Sequence, residues 1–503
     1  MKKKYIISIT SIIVLYFLAF TFFSNYYSNV KSDFLWRLPG FSYFDKVFQK
    51  IPTKIFYFNP EYTNKKNADF IVLFSENDQR INDSLIKVAI NNIELSDDQK
   101  IYRQANAIFN NQKFNIKYKF HGTSITPYLD HRRLSYSIKS QNKIFETKDF
   151  KLIISYEMDY KNIFLNYLSN ELGLISEDSG RIVSVNLGNK INDYFMYEDF
   201  DRSYIKKKYG FINPLVVRNL TFYNEVNSHF SEIDKYSYDL DLTEMSYDYF
   251  LRWDKLKSLS YYNYSDKEKL IYGNFLAFIY FFGNPHQITG NNDKWIITKN
   301  YILPVYRNEG VIQEYNYGLD SNFDNQVFEN YFSSNTHNVY KQYVLDDEIR
   351  HERNKKLFEL YKNEDKIIDI FDSIYNANID KHKRYNTNYF KIKNNHFNYK
   401  NIISKNTNNI SKHLKTGKVI SLLIEDTLKI SMESYMKMHV NVNDEIYDYN
   451  PIKLELKNNK IISKRKEFKI HINKEIKKLE IVNRVTNDTL KLSEDFKLLE
   501  VSK

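Results

Sequence analysis

Residues 283–310 gather side chains that could bind a metal ion or an anion. The segment "GNPHQITGNNDKWIITKNYILPVYRNEG" places an imidazole, amides, carboxylates and a guanidinium around two short apolar runs. Carboxylate and amide oxygens are ligands of hard cations such as Mg²⁺, whereas a guanidinium suits phosphate oxygens. The candidates are His286, Asn292, Asp293, Arg307, Asn308 and Glu309. A plain loop between two strands is the alternative interpretation of the same residues.

The elements on both sides of the polar residues are well marked in the sequence. Ser265 and Glu268 form a Ser-x-x-Glu capping box, and the nearly apolar run 270–282 predicts a buried helix that ends at Gly283. This run of about 13 residues is too short to span a membrane, which takes about 20. The runs "KWIITKN" and "YILPVY" predict a hairpin with its turn near Asn300.

Earlier in the chain, short β-rich runs alternate with polar turns. Strands are predicted at "KIFYF", "FIVLF", "IKVAI", "FNIKYKF", "LSYSIKS" and "FKLIISY". A helix is predicted at "MDYKNIFLNYLSNELG", whose apolar residues share one face and which Gly173 ends. The runs "RIVSVNL" and "DYFMYED" predict a second hairpin that turns at Gly188 and Asn189.

The last third of the chain predicts a helical part and a β part. A long charged helix is expected over 346–375, and the Asn- and Lys-rich residues 381–416 are expected to form a linker or a loosely packed segment. After Gly417, seven short strand-like runs in under a hundred residues favour a small β-sandwich.

Composition and the N-terminus indicate where the chain works. The absence of cysteine excludes disulfides, Cys-ligated metals and a Cys nucleophile. The net charge of +11 is spread along the chain with no basic arm, so no nucleic-acid partner is expected. Lys2 to Lys4 precede an apolar run from Tyr5 to Phe23 without a small-residue cleavage site. This pattern predicts an uncleaved signal anchor with the folded part outside the cell membrane. A cleaved signal peptide is the alternative.

The order of motifs over residues 110–330 resembles the CotH kinase-like family, the spore-coat-protein-H type of atypical kinase. The family has an Arg-Gly-Asn-Ser-like turn and a basic strand, which "KYKFHGTS" and "RRLSYSIKS" resemble. A helix, a hairpin with an acidic end, a His-Asn-aromatic segment and a strand ending Pro-Trp-Asp-x-Asp follow in the family. The resemblance implies a kinase-like α+β fold and ATP with Mg²⁺ or Mn²⁺ as cofactors.

The resemblance also implies roles for single residues. Lys139, with Arg133 near the other end of the basic strand, would contact nucleotide phosphates, and Glu198 would be the hairpin glutamate that pairs with that lysine. Asn292 and Asp293 lie near the family's His-Asn segment. The chain's own polar residues add further candidates: Asp293 and Glu309 as catalytic carboxylates, Asn308 and Glu309 as metal ligands, and His286, Asn292 and Arg307 as residues that line the nucleotide or anion site. Further matches to the family pattern are Gly122, Ser124, Trp295 and Pro304.

The chain departs from the family where the family binds metal. Val305, Tyr306, Arg307 and Asn308 stand in place of Trp-Asp-x-Asp, so the expected aspartates are missing. Phosphoryl transfer requires a metal to neutralise charge on the transferred group. Three hypotheses therefore stay open for 283–310: a working kinase-like site, a family-derived site with altered or lost chemistry, and a plain loop.

The sequence thus predicts an α+β protein with a kinase-like core, a β-rich N-terminal region and a C-terminal β-sandwich, behind one transmembrane helix. The predicted regions are an anchor (1–25), a juxtamembrane linker (26–50), a CotH-like domain (51–345), a helical segment with linker (346–416) and the sandwich (417–503). Two functions are considered. One is a divergent protein or glycan kinase with a degenerate metal site. The other is a non-catalytic binding or structural module in cell-surface or exopolysaccharide assembly, with a surface protein or polysaccharide as partner.

Overall fold

The structure is a computed structural model that describes residues 68–92, 95–121, 134–154, 159–187, 191–212, 214–220, 230–233, 251, 263–284, 294–307, 311–314, 338–385, 389–415, 419–457, 460–473 and 475–491. It is a mixed α+β fold, as the sequence predicts. The helices in these residues are α1 Glu76–Asn92, α2 Asp159–Glu171, α3 Arg202–Tyr209, α4 Asp266–Phe282, α5 Asn338–Leu345, α6 Asp347–Lys362, α7 Glu364–Tyr385 and α8 Tyr389–Leu414.

The strands of residues 70–306 are β1 Phe70–Leu73, β2 Arg103–Phe109, β3 Gln112–Phe120, β4 Tyr136–Ile144, β5 Thr147–Ile154, β6 Ile175–Ser176, β7 Arg181–Leu187, β8 Ile191–Glu198, β9 Leu215–Leu220, β10 Phe230–Ile233, β11 Lys294–Ile297 and β12 Ile302–Tyr306. Those of residues 419–491 are β13 Val419–Ile424, β14 Thr427–Met432, β15 Met438–Val442, β16 Glu445–Tyr449, β17 Ile452–Lys457, β18 Lys460–Arg465, β19 Phe468–His471, β20 Leu479–Asn483 and β21 Thr489–Lys491.

The chain forms two compact units. The first comprises the described residues within 1–160, 181–197 and 374–398, and the second those within 161–180, 198–373 and 399–503. Within the described part of the chain, no helix is both long enough and apolar enough to cross a membrane. The predicted anchor at Tyr5–Phe23 and the predicted strand "KIFYF" lie outside the described residues.

The first unit contains a closed barrel with the strand order β1-β2-β3-β4-β5-β8-β7. Strand β1 pairs with β2 in antiparallel and with β7 in parallel orientation, which closes the barrel. The core of the barrel contains both aliphatic and aromatic residues, the latter including Phe70, Tyr118, Tyr136 and Phe150. The predicted hairpin of β7 and β8 is confirmed, while its turn lies outside the described residues.

One strand prediction in this unit is wrong, because "IKVAI" belongs to helix α1. Ser75 and Asp78 form a reciprocal cap at the start of this helix: the Asp78 amide donates to Ser75 Oγ at 3.1 Å and the Ser75 amide to Asp78 Oδ2 at 3.2 Å. Asn82, Ile86 and Ala89 are buried at helical spacing. The residue types of this short run favour a strand, but the cap and the spacing of the buried residues are those of a helix.

The second unit contains a five-stranded sheet with the order β10-β9-β11-β12-β6. The predicted β11–β12 hairpin is confirmed, with Trp295 opposite Pro304. Helix α4 is also confirmed with its Ser265 cap, and its Gly283 cap has φ 67°. The buried Glu268 of that capping box also accepts a hydrogen bond from the Ile302 amide at 3.0 Å. This bond ties the first turn of α4 to the first residue of β12.

The described residues within 381–416 are almost all helical, not an irregular linker. Helix α7 extends to Tyr385, and α8 covers 389–414. Helix α8 buries Ile403, Asn406, Thr407, Ile410 and His413 along one stripe. Three of these five are polar, so the stripe does not show up as an apolar period. The predicted single helix over 346–375 is likewise two helices, α6 and α7, which meet at Asn363.

The C-terminal region is rich in strands, as predicted. Sheets of three, four and two strands cover the described residues 419–491. Strands β16 and β18 were not expected, because their residues are mostly charged or polar. The packing of these sheets as a sandwich stays a prediction, as do the proposed domain boundaries.

Candidate functional site

Two parallel strand ends bring the candidate site together in the second unit. Strand β6 pairs in parallel with β12, with Ile175 opposite Val305 and Ser176 opposite Tyr306. The Glu177 amide continues the ladder and donates to the Tyr306 carbonyl at 3.0 Å. Glu177 and Arg307 are therefore the first residues beyond two neighbouring strand ends. Ligands in open α/β sheets bind at the carboxyl ends of parallel strands.

The Glu177 carboxylate contacts two cationic side chains, those of Lys294 and Arg307. These three residues are called the Glu177 cluster. The Glu177 Oε1 atom lies 3.2 Å from Lys294 Nζ and 3.4 Å from Arg307 Nε. The side chains of Glu177 and Lys294 are each only 7% exposed, and that of Arg307 is 18% exposed. Lys294 is the first residue of β11 and lies opposite Val305 of β12. This position brings its ammonium to Glu177. The ammonium also lies 4.8 Å from the ring centre of buried Phe200.

Asp178 and Glu198 extend the polar region. The Glu198 amide donates to Asp178 Oδ2 at 2.8 Å. The Glu198 carboxylate pairs with Lys207 at 3.2 Å, and the Lys207 side chain is 62% exposed. Exposed pairs of this kind contribute only about 0–1 kcal/mol. Glu198 therefore joins the end of β8 to α3.

A hydroxyl network surrounds Ser176 on the same strand end. The Ser176 amide donates to the Tyr209 hydroxyl at 2.7 Å, and that hydroxyl lies 2.7 Å from the Ser176 carbonyl. Tyr204 donates to the same carbonyl at 3.3 Å, and Lys208 donates to the Tyr204 hydroxyl at 2.8 Å. Ser176 Oγ donates to Asn170 Oδ1 at 2.9 Å. Ser176 is fully buried, so a substrate cannot reach its hydroxyl in this conformation.

Burial governs the proton affinity of these groups. Burial raises the pKa of Tyr204, and the neighbouring Tyr209 and Asp178 raise it further, so this hydroxyl stays protonated. Burial also raises the pKa of Tyr209. Desolvation of the ammonium lowers the pKa of Lys208 to about 8, although Asp178 and Glu198 act in the opposite direction and the side chain as a whole is exposed.

The structure describes three of the predicted site residues. Arg307 and Glu198 both lie in the second unit, one bound to Glu177 and the other to Asp178 through its amide. Lys139 lies in the first unit on β4, opposite Lys117 and Asp149, and its ammonium is 5.2 Å from the centre of the Tyr102 ring. The predicted pairing of Lys139 with Glu198 stays a prediction. The remaining candidates lie outside the described residues: Arg133, His286, Asn292, Asp293, Asn308 and Glu309.

Sequence reasoning missed the centre of the site. Glu177 and Lys294 are separated by 117 positions, and Glu177 and Arg307 by 130. Glu177 and Asp178 follow the two-residue strand β6, which is too short to show a periodic pattern. A usable signal was the run Ser-Glu-Asp directly after the apolar "GLI" that follows α2. The link to Arg307 depends on the parallel pairing of β6 with β12, which the sequence does not show.

The cluster consists of a guanidinium and an ammonium that are held by one carboxylate. Two cations share one carboxylate, so the three groups together carry one net positive charge. Among the described residues, no group of three or more His, Asp or Glu side chains could hold a metal ion. A guanidinium that is partly open to solvent can still bind phosphate or carboxylate oxygens.

No family model matches this chain, and a search of curated proteins finds no significant match.

Proposed function

We propose that this protein is a membrane-anchored, outward-facing module of cell-surface or exopolysaccharide assembly. In this proposal it derives from the CotH kinase-like type and binds an anionic partner without catalysing phosphoryl transfer. The ligand is a phosphate-bearing or otherwise anionic surface polymer. The proposed site is the Glu177 cluster at the ends of β6 and β12.

One observation supports this proposal above the others. The Arg307 guanidinium and the Lys294 ammonium both contact Glu177 at the end of β12. In the family that the sequence resembles, this strand end carries the metal-binding aspartates. The net positive charge of these three side chains opposes the binding of Mg²⁺ or Mn²⁺ and favours the binding of anions, because Coulomb energies are larger where the site is shielded from water. The kinase hypothesis requires a metal at the same place.

Binding measurements on the full-length protein in detergent test the proposal. Inorganic polyphosphate serves as the anionic probe, and ATP is titrated with and without Mn²⁺. We expect polyphosphate binding to weaken about tenfold in Arg307→Ala, which corresponds to about 1.4 kcal/mol for one charge-assisted contact. Arg465→Ala is the matched control, because this arginine pairs with Glu433 in the C-terminal β region. We expect Mn²⁺ not to increase ATP binding.

Two results would contradict the proposal. The first is ATP binding that depends on Mn²⁺, with transfer of the γ-phosphoryl group to a protein or glycan, which would establish the kinase alternative. The second is an equal loss of polyphosphate binding in the Arg307 and Arg465 variants, which would indicate general attraction by the chain's net positive charge. Arg307→Lys separates charge from fold, since it keeps the cation at the site.

A further inference from the structure

Strand β13 lies at an edge of its sheet and contains no charged residue. The sheet has the order β13-β14-β19, so β14 is the strand that pairs with β13 in the described part of the chain. The side chains of Leu422, Leu423 and Ile424 are 49%, 43% and 48% exposed. A strand at a sheet edge presents a row of backbone N–H and C=O groups that can pair with another chain.

Two other edge strands of the C-terminal region carry charges that oppose such pairing. Strand β19, the opposite edge of the same sheet, contains Lys469, which pairs with Glu467 at 2.9 Å. Strand β16, an edge of the four-stranded sheet, contains Glu445 and Asp448. Charged side chains on edge strands protect proteins against association. Strand β13 lacks this protection, which indicates that a partner strand covers it.

The apolar side chains on one face of β13 form a single row. Ile420, Leu422 and Ile424 are at alternate positions of the strand, so they point to the same face of the sheet. The neighbouring strand β14 presents polar residues opposite this row: Ser431, Lys429 and Thr427. The apolar surface on this face is therefore confined to the outermost strand, where an added strand would cover it.

This row is complementary to itself in antiparallel orientation. When two copies of β13 pair around a two-fold axis at Leu422, each Leu422 meets its counterpart and Ile420 meets Ile424. The axis is perpendicular to the sheet, so residues that meet across it share a face. The same register places Leu423 opposite Ser421 on the other face. Two-fold dimers with such self-complementary surfaces are the commonest protein oligomers.

Charges at the two ends of the strand favour the same orientation. The hairpin tip that follows β13 carries the exposed Glu425 and Asp426. The end of α8, which precedes β13, carries the exposed Lys412 and Lys415. Lys415 is four positions before Val419, so the two lie at most about 14 Å apart along the backbone. In an antiparallel pair the acidic tip of each copy lies beside the basic start of the other, whereas a parallel pair would bring like charges together.

We propose that this protein forms a two-fold dimer in which β13 pairs in antiparallel orientation with β13 of a second copy. The pairing joins the two three-stranded sheets into one continuous sheet and covers the apolar row. The strand has six residues, so the contact is small and the dimer is reversible, with a Kd in roughly the micromolar range. This interaction goes beyond the proposed anion binding and does not use the Glu177 cluster.

Disulfide cross-linking of the full-length protein tests the register. The chain has no cysteine, so one introduced thiol reports on one position. A disulfide can bridge directly opposed residues, whose Cα atoms are about 4.5–5.5 Å apart, but not diagonal neighbours at about 7–8 Å. On oxidation with copper phenanthroline we expect Leu422→Cys to form a linked dimer at least about tenfold faster than Leu423→Cys. Leu423 is the matched control, because it is on the same strand and similarly exposed.

Sedimentation velocity in detergent measures the dimer itself. Every variant keeps the N-terminal segment, so a difference between variants reports on β13. Leu422→Lys places two ammonium groups opposite each other at the axis, and we expect the Kd of the dimer to rise at least about tenfold. Circular dichroism checks the fold of this variant, which the half-exposed position of Leu422 should preserve.

A charge-reversal series tests the orientation. Glu425→Lys with Asp426→Lys turns the tip basic and should weaken the dimer. Adding Lys412→Glu with Lys415→Glu turns the other end acidic and should restore it, because the attraction is then rebuilt with opposite signs. A restored dimer cannot come from a variant that has lost its fold.

Three results would overturn the proposal, whatever the outcome for polyphosphate binding. The first is a natural chain that sediments as a monomer well above micromolar concentration, which would leave β13 to another occupant such as residues 492–503 of the same chain. The second is an equal rate of cross-linking for Leu422→Cys and Leu423→Cys. The third is a dimer that persists unchanged in Leu422→Lys, which would place the contact between copies elsewhere.

Discussion

At the residue scale, Glu177 determines how the candidate site is stabilised. Removing a carboxylate and an ammonium from water costs several kcal/mol per ion, and a buried pair recovers this cost only through close contacts. Glu177 makes two such contacts, with Lys294 and Arg307, and its amide is also satisfied by the Tyr306 carbonyl. The stability of the cluster therefore depends more on the Glu177 carboxylate than on either cation.

The dependence on Glu177 can be measured as a difference between two variants. Glu177→Ala leaves both cations without their shared carboxylate, and we expect the free energy of unfolding to fall by about 3–5 kcal/mol. Arg307→Ala keeps the Glu177–Lys294 pair, so we expect a loss of about 1 kcal/mol. Urea-induced unfolding followed by circular dichroism provides both values. Equal losses would show that Arg307 is as central as Glu177.

At the element scale, the close approach of helices α4 and α6 holds the sheet that carries the site. A Cβ atom on Gly273 of α4 would lie 2.7 Å from Glu352 Cβ and 2.8 Å from the Arg353 backbone nitrogen. Both atoms belong to the body of α6 rather than to the end of a flexible side chain. This contact therefore requires glycine for space, although glycine has a low helix propensity.

Gly273→Ala reports on this helix contact. Alanine at an uncrowded helix position stabilises by about 0.5–1 kcal/mol relative to glycine. Here we expect a loss of about 1–3 kcal/mol, because the backbone of α6 must move. Leu270→Ala on the exposed side of the same helix is the control, with an expected change below about 0.5 kcal/mol. A stabilised Gly273→Ala protein would show that the two helices separate without cost.

Buried histidines on helices α6 and α8 make this part of the second unit sensitive to acid. Burial, with Arg484 as the next cause, lowers the pKa of His351 to about 4, while Glu352 opposes this shift and Lys437 and Lys355 add to it. Burial lowers the pKa of His413 well below 6.5, assisted by Arg353. Both imidazoles are therefore neutral in the folded protein at neutral pH. Below about pH 6.5 the unfolded chain binds protons that the folded protein does not.

Stability should consequently fall as the pH decreases from about 6.5 to about 4. A decrease in the pKa of His351 from 6.5 to about 4 corresponds to up to about 3 kcal/mol of the free energy of unfolding that is lost in acid. We expect His351→Gln to flatten the dependence of the unfolding free energy on pH, with His413 among the groups that contribute to the remaining slope. The exposed His471→Gln is the control and should keep the full slope. An unchanged slope in His351→Gln would mean that His351 is not a source of the acid sensitivity.

At the scale of the whole molecule, the location of the protein depends on its N-terminal segment. The apolar run from Tyr5 to Phe23 follows three lysines and has about the length of a membrane-spanning helix. We expect the mature protein to keep Met1 or Lys2 at its N-terminus and to stay in the membrane fraction after alkaline carbonate washing. N-terminal sequencing of the extracted protein checks this. A new N-terminus near Asn25 or Tyr27 would show that the segment is a cleaved signal peptide.

Local signals in the sequence determined the elements that frame the site. The Ser265 capping box and Gly283 predicted the bounds of α4, and the apolar runs around Asn300 predicted the β11–β12 hairpin. These features depend on residues a few positions apart, so short-range hydrogen bonding and steric preferences decide them. The α+β class follows from the same patterns, since each element carries its own periodicity.

Only the tertiary structure shows that α8 is a packed helix and which residues meet at the candidate site. The polar stripe of α8, with Asn406 donating to the carbonyls of Phe281 and Gln313, turns an expected linker into a packed helix. The parallel pairing of β6 with β12 brings Glu177 to an arginine 130 positions away. The physical reason is the same in both cases: burying a polar side chain is favourable only when a distant part of the chain supplies its partner. Composition and periodicity cannot reveal such a partner, because they describe neighbours in sequence and not neighbours in space.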